Sequence, residues 1–391
     1  MLRAIPFLLL LLVTACAGPA PVVVEETPEP EPEPETAAYS ALVRNGGSLE
    51  LRAGEALQPA GEASGVISVH SAAAAGSALV AVAAGDSTRL LLATSDRVRR
   101  VHAVDGRVVY TVAWAPGGDQ AAFGYYRPAG TASQGRAAMG AGDILLWDGN
   151  GVSRVGCSAS RAVLAWAGDG ALLVRNTDNL YVVSRDGCDT RTTVDARRML
   201  GLTVSPDARH LAFVHRELEY DRSARAYVAD STFRLTDLDG SNEKTIVNFR
   251  YNPRRLAWRP DGAELAFDVK ASDEAGRAIS IFEVASGTTA FLHPPASDYD
   301  EFGPVWSPEG DRIAYHRGAE RGANSVWVRS FELGFPRGVP DSEGATIEGW
   351  AGGTGLVFRR ADGTVAVYDA AADTVTELGT ADEVAAVWPL R

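Results

Sequence analysis

The amino-acid sequence predicts an all-β fold, a β-propeller of four-stranded blades, and three observations carry that expectation. The 391 residues include 40 glycines and 20 prolines alongside 46% hydrophobic residues, a turn-rich composition that favours many short strands over long helices. A motif recurs in which an apolar run ends in Trp, turns through a Pro-Asp-Gly type sequence, and returns as a second apolar run. It occupies 112–123, 256–267 and 304–315, and 204–213 with Val204 in the Trp position. The Trp-equivalent positions 69, 114, 166, 204, 258, 306 and 350 lie 38 to 54 residues apart, in the range of propeller-blade repeats. Seven blades are expected, with six and eight as alternatives.

The chain opens with residues 1–15, read as an export signal: Arg3 gives a positive start, and the apolar run through Leu8–Leu12 is too short to span a bilayer. Val13-Thr14-Ala15-Cys16 resembles the bacterial lipobox, which implies that Cys16 becomes the lipidated first residue of the mature chain. Acyl chains contribute about 0.8 kcal/mol per buried methylene, so several of them anchor a protein stably without spanning. Ala17 in place of Asp after the Cys implies the periplasmic leaflet of the outer membrane. Residues 16–38 follow as a tether, in which alternating Pro and Glu over 28–35 predicts a self-repelling, extended polyproline-type spacer.

The propeller is assigned to 39–391. In the turns, Pro presets φ, Asp or Glu suits the next position, and Gly accepts the backbone that feeds the return strand. Third strands follow at 144–148, 180–184, 233–237, 279–283 and 325–329, and degenerate repeats surround Trp166 and Trp350. A last Trp strand, 383–389, has nothing after it, as expected if it closes the ring by completing the first blade. Either that strand or 65–70 is then the innermost strand of blade one, and the other is supernumerary.

This repeat grammar resembles the TolB-type propeller repeat, with the similarity running over roughly 100–370 and clearest in four copies. The resemblance implies a bacterial envelope protein. Residues 39–64 are too few for the separate amino-terminal α/β domain of TolB proteins, and the lipid anchor is a second departure.

The formal net charge of −13, from 37 basic and 50 acidic residues, argues against nucleic acid as a partner. Six of the acidic residues lie in the tether; with the signal removed, the propeller retains about −8. Local motifs for hydrolases, zincins, P-loops and dinucleotide sites are missing from the sequence, so no catalytic residue and no cofactor are expected. Six histidines occur, at 70, 102, 210, 215, 293 and 316. His215 and His316 end equivalent second strands and could line one face of the ring, but strand-end histidines more often bond loop carbonyls than hold a metal.

Cys157 and Cys188 could form a disulfide in an oxidising periplasm, although the topology puts them near opposite faces and the pairing stays open. Two long insertions between second and third strands, 125–142 and 216–229, carry Tyr125, Tyr126, Arg127, Tyr220, Asp221 and Arg222. In a four-stranded meander they share a rim, and Tyr and Arg are favoured interface anchors. The leading expectation is a non-enzymatic, membrane-anchored module that presents this rim to a protein or envelope partner. The alternative is a binder of a small ligand, peptide or glycan, or an enzyme, working in the central channel.

Overall fold

The computed structural model describes residues 39–389 apart from 54–55, 73–76, 116–117, 127–143, 156–161, 167–169, 176–178, 185–189, 196–198, 222–225, 250–253, 271–274, 297 and 320–321. Residues 1–36 form a unit separate from 37–391. The signal, Cys16, the tether, Arg127, Arg222, Cys157 and Cys188 therefore lie outside the described residues. No helix among the described residues is long and apolar enough to cross a membrane.

The described strands form eight four-stranded antiparallel sheets, seven of them simple meanders. Blades two to eight are contiguous and span 65–105, 109–154, 162–195, 199–249, 254–291, 300–338 and 346–380. Blade one is assembled from both ends of the chain. Its order is Ala56–Glu62, Ser48–Ala53, Tyr39–Asn45 and finally Glu383–Pro389.

The expected count of seven is thus corrected to eight. Glu383–Pro389 and Gly65–Ala72 are both innermost strands, of blades one and two respectively, and neither is surplus. Blade one was not recognised because its inner strand is more than 300 residues away from its other three. No contiguous copy of the strand-turn-strand motif exists there to be read. Closure is reinforced by Glu383, which accepts from Arg44 Nε at 2.8 Å within blade one and from the Val66 amide of blade two at 2.6 Å.

The core consists of eight apolar layers, one at each blade boundary. Strand alternation places them: Leu265 and Phe267 face blade five, whereas Ala266 between them faces blade seven. At Trp306 and Trp350 the repeat Trp adds a polar latch to this packing. Trp306 Nε1 donates to the Ala257 carbonyl of blade six at 3.1 Å, and Trp350 Nε1 donates to the Val305 carbonyl of blade seven at 3.2 Å.

The Pro-Asp-Gly turns have the geometry their sequence dictates. The amides of Gly118, Ala208, Gly262 and Gly310 donate to the carbonyls of Ala115, Ser205, Arg259 and Ser307 at 2.8–2.9 Å. All four residues sit at positive φ, 71°, 52°, 74° and 72°. Ala208 bears a Cβ where its three counterparts do not, a conformation that costs an L-residue about 1–2 kcal/mol.

A meander gives the ring two unlike faces. The turn face carries the first-to-second and third-to-fourth turns. The connection face carries the second-to-third hairpins and the links between blades.

Candidate functional site

The connection face at the boundary of blades six and seven holds a cluster of buried charge. It begins at the innermost strands. In blades five, six and seven the pairing of the inner strand slips by one residue, two residues opposing one, between Leu200 and Thr203, Arg254 and Ala257, and Phe302 and Val305. The first of the two bulged residues is left-handed in each: Gly201 at φ 58°, Arg255 at 53° and Gly303 at 67°. Bulges of this kind re-aim side chains at the rims of sheets.

On blade six, Asp268 follows the core residue Phe267 and is fully buried. Arg277 Nη1 donates to its Oδ1 at 3.4 Å, and Arg255 Nη1 lies 3.7 Å from its Oδ2. The Arg255 guanidinium also lies 5.0 Å from the ring centroid of Phe302, in blade seven. Asp300 joins the two blades through the Arg277 amide, which donates to Oδ1 at 2.7 Å.

On blade seven, Glu301 has a side chain only 3% exposed. Arg317 donates to Glu301 Oε1 from Nη2 at 2.7 Å and from Nε at 3.2 Å, and His293 Nδ1 stands 3.2 Å from the same oxygen. Burial works against ionisation of Glu301, but hydrogen bonds and charge from His293 and Arg317 outweigh it and hold the carboxyl below its usual range. Arg317 is itself packed among aromatic rings, 4.0 Å from the Trp327 centroid and 4.8 Å from that of Tyr299. His316 stacks on Phe302 with ring centroids 5.2 Å apart. Burial, then the nearby Arg255 charge, push the His316 imidazole down to about 4, so it is neutral at pH 7.

The chemistry available here is recognition of charge by fixed charge. Glu301 is locked in its ionised form, which suits a structural counterion and not a general acid. No group of three or more His, Cys, Asp or Glu side chains able to hold a metal occurs among the described residues.

The residues expected to form the rim fare differently. Tyr125 and Tyr126 lie within the second strand Ala121–Tyr126 of blade three. Tyr125 is half-buried, with its ring 5.8 Å from Tyr110 and 6.0 Å from His102, so it belongs partly to the blade body. Tyr220 and Asp221 were expected in a loop but are strand residues. The 12-residue strands His210–Asp221 and Ala226–Asp237 form one long hairpin that pairs Tyr220 with Tyr227 and Asp221 with Ala226. The insertion therefore extends the sheet of blade five on the connection face instead of leaving it as irregular chain.

His215 and His316 do not share a position. His215 pairs with Met199 and His316 with Phe302; measured from the bulge, they fall one register step apart and so point to opposite sides of their sheets. The register equivalent of His316 is Asp268 in blade six. Arg255, Asp268 and Glu301 were missed by the sequence reading. Aligning the inner strands on Trp258, Trp306 and Val204 sets Arg255 against Gly303 and Gly201, and that was the available signal.

The bladed fold and its repeat define a β-propeller, and the repeat is of the TolB type. Over 94 residues the chain is 33% identical to the Tol-Pal system protein TolB of Anaeromyxobacter dehalogenans (strain 2CP-C), covering 24% of this chain and 20% of that protein. The same figures hold for TolB of Anaeromyxobacter sp. (strain K). The chain thus matches about a fifth of the length of these curated relatives. No family model matches the chain.

Similar solved structures include the dihydro-heme d1 dehydrogenase NirN in complex with DHE, with TM-score 0.57 and 12% identity over 90% of this chain and 75% of that one. Dipeptidyl peptidase 4 of Porphyromonas gingivalis has TM-score 0.55 and 12% identity over 83% of this chain and 54% of that one. At that identity the likeness concerns the fold alone, and a fold shared with enzymes leaves the activity to be argued from the site.

Proposed function

We propose that this chain is a non-enzymatic envelope propeller, anchored through lipid on Cys16 at the periplasmic face of the outer membrane, that binds a protein partner through its connection face. The supporting observation is the local similarity to the Tol-Pal system protein TolB, taken with a face where buried ion pairs fix several charged side chains in place. The tether of residues 16–38 holds the ring away from the bilayer. The hairpin of blade five and the insertion 125–142 supply one part of the contact, and the Arg255–Glu301 region supplies its fixed charges.

Action on a peptide or glycan in the channel is the competing reading. It calls for a group poised to exchange protons, and Glu301 is held in the opposite condition.

The test is chemical crosslinking and capture of the full chain from native membranes, in the wild type and in a variant lacking both 127–142 and 216–229. Loss of a specific partner with the variant supports the reading. Capture that is unchanged, or a protein extracted without detergent, contradicts the face or the anchor respectively.

A further inference from the structure

Arg255 occupies a backbone conformation that its own side chain disfavours. Among the described non-glycine residues at positive φ, Ala208, Asn242, Asp341 and Asp373 lie in turns or bends, and Arg255 alone lies within a strand. The corresponding residues of the two flanking blades are glycines. A side chain kept at such a position is explained by what it reaches.

From the inner strand of blade six, Arg255 crosses to the inner strand of blade seven. Its guanidinium rests over the Phe302 ring at 5.0 Å, with Asp268 at 3.7 Å from one amino nitrogen. Gly303 lies against it: a Cβ there would lie 3.5 Å from Arg255 Cδ and 3.6 Å from His316 Cδ2, ordinary contact distances, so the φ of 67° and not the space favours glycine. The guanidinium is thus held by an aromatic face and a buried carboxylate, yet 45% of the side chain stays open to solvent at the ring's inner edge. Beside it stands His316, whose Nδ1 is buried without a hydrogen-bond partner among the described residues. An oriented guanidinium at a rim matches the planar fork geometry of oxyanions.

We propose that Arg255 is an oxyanion anchor at the channel mouth, receiving a carboxylate or phosphate group of whatever docks on the connection face. This rests on that face being the binding face, but the test reads the oxyanion directly and needs no partner.

The full chain is melted at neutral pH and constant ionic strength while acetate, or in a second arm phosphate, replaces chloride. In parallel the Arg255 Nε–Hε resonance is followed in protein labelled with 15N-arginine. Expected is a saturable rise in melting temperature and a saturable shift of that resonance. Arg255→Gly, a residue the flanking blades already accept there, lowers the apparent affinity about tenfold or more, and Arg255→Lys lowers it less. A response to acetate alone assigns a carboxylate, and a response to phosphate alone assigns a phosphate.

Equal anion responses in wild type and Arg255→Gly overturn the proposal, as does an unmoved Arg255 resonance. Should Arg255→Gly not fold, the wild-type resonance decides by itself. Partner capture that survives in Arg255→Gly but not in the hairpin deletion removes the anchor while leaving the binding face in place.

Discussion

The two faces of the ring are made by the same eight repeats and yet are built on different principles. On the turn face the turns themselves are local: four residues close each one, and a Ser side chain steadies it, as where Ser307 Oγ accepts from the Arg312 amide at 3.0 Å, with Arg259 Nε donating from blade six to the Gly310 carbonyl of blade seven at 3.1 Å. On the connection face the charged groups are buried pairs at the edge of two neighbouring blades. Arg255 and Arg277 meet Asp268 within blade six and Arg317 meets Glu301 within blade seven, and Arg255 on Phe302 and the Arg277 amide on Asp300 join the two groups across the blade boundary.

Ala208 and Arg255 put the contrast into one pair. Each bears a Cβ at a left-handed position that sister blades give to glycine. Ala208, a buried residue, closes a turn within its own blade. Arg255 spans a blade boundary. The same backbone strain is incidental on one face and carries a side chain into a site on the other.

The largest expected effect that would break this contrast is at Asp268. Asp268→Ala removes a fully buried carboxylate from beside the nearly buried Arg277, and should cost about 3–5 kcal/mol in urea unfolding at neutral pH. A loss below about 1 kcal/mol would mean that the connection face is no more tertiary than the turn face.

A smaller effect is pH-dependent. His316 has a folded-state value of about 4 against 6.5 for a free imidazole. Between those values the unfolded chain binds the extra proton, so stability is full above pH 6.5 and falls as pH drops towards 4, with a slope of up to about 1.4 kcal/mol per pH unit. His316→Gln should flatten melting temperature against pH in that window, and an unchanged profile would place the titrating group elsewhere. The smallest effect belongs to the turn face: Ala208→Gly should raise stability by about 0.5–1 kcal/mol, the relief of strain outweighing the extra chain entropy of glycine. A destabilised Ala208→Gly would show that the methyl contributes packing beyond the turn.

The same division explains how far the sequence could be read. The blades, their turns and the closing role of Glu383–Pro389 follow from short-range patterns: period-two apolar runs, Trp at a fixed place and Gly where φ is positive. The eighth blade was hidden because Tyr39–Asn45 finds its inner partner at the far end of the chain. Tyr220 and Asp221 looked like loop because Arg216, Glu217, Glu219 and Asp221 interrupt the apolar run, yet a hairpin can continue on cross-strand hydrogen bonds after its core contacts end. The site was least legible, since an Asp after Phe267 or a Glu in the run 300–306 looks like any solvent-facing strand residue until the neighbouring blade is in place.

One part of the turn face breaks its own pattern. The turn after Asn324–Ser330 exposes Phe331, Leu333 and Phe335, the last at 51%, with Arg337 against Phe335 and Phe331 stacked on Trp306. It offers an apolar surface on the opposite side of the ring from Arg255, and a fair test of the binding face has to include it.

The most direct measurement places a photocrosslinking amino acid at Tyr299 on the connection face, or at Phe335 on the turn face, in the full chain within native membranes. The account predicts a discrete partner adduct from position 299, reduced when 216–229 is deleted, and none of comparable yield from position 335. A strong adduct from position 335 with none from 299 would contradict it.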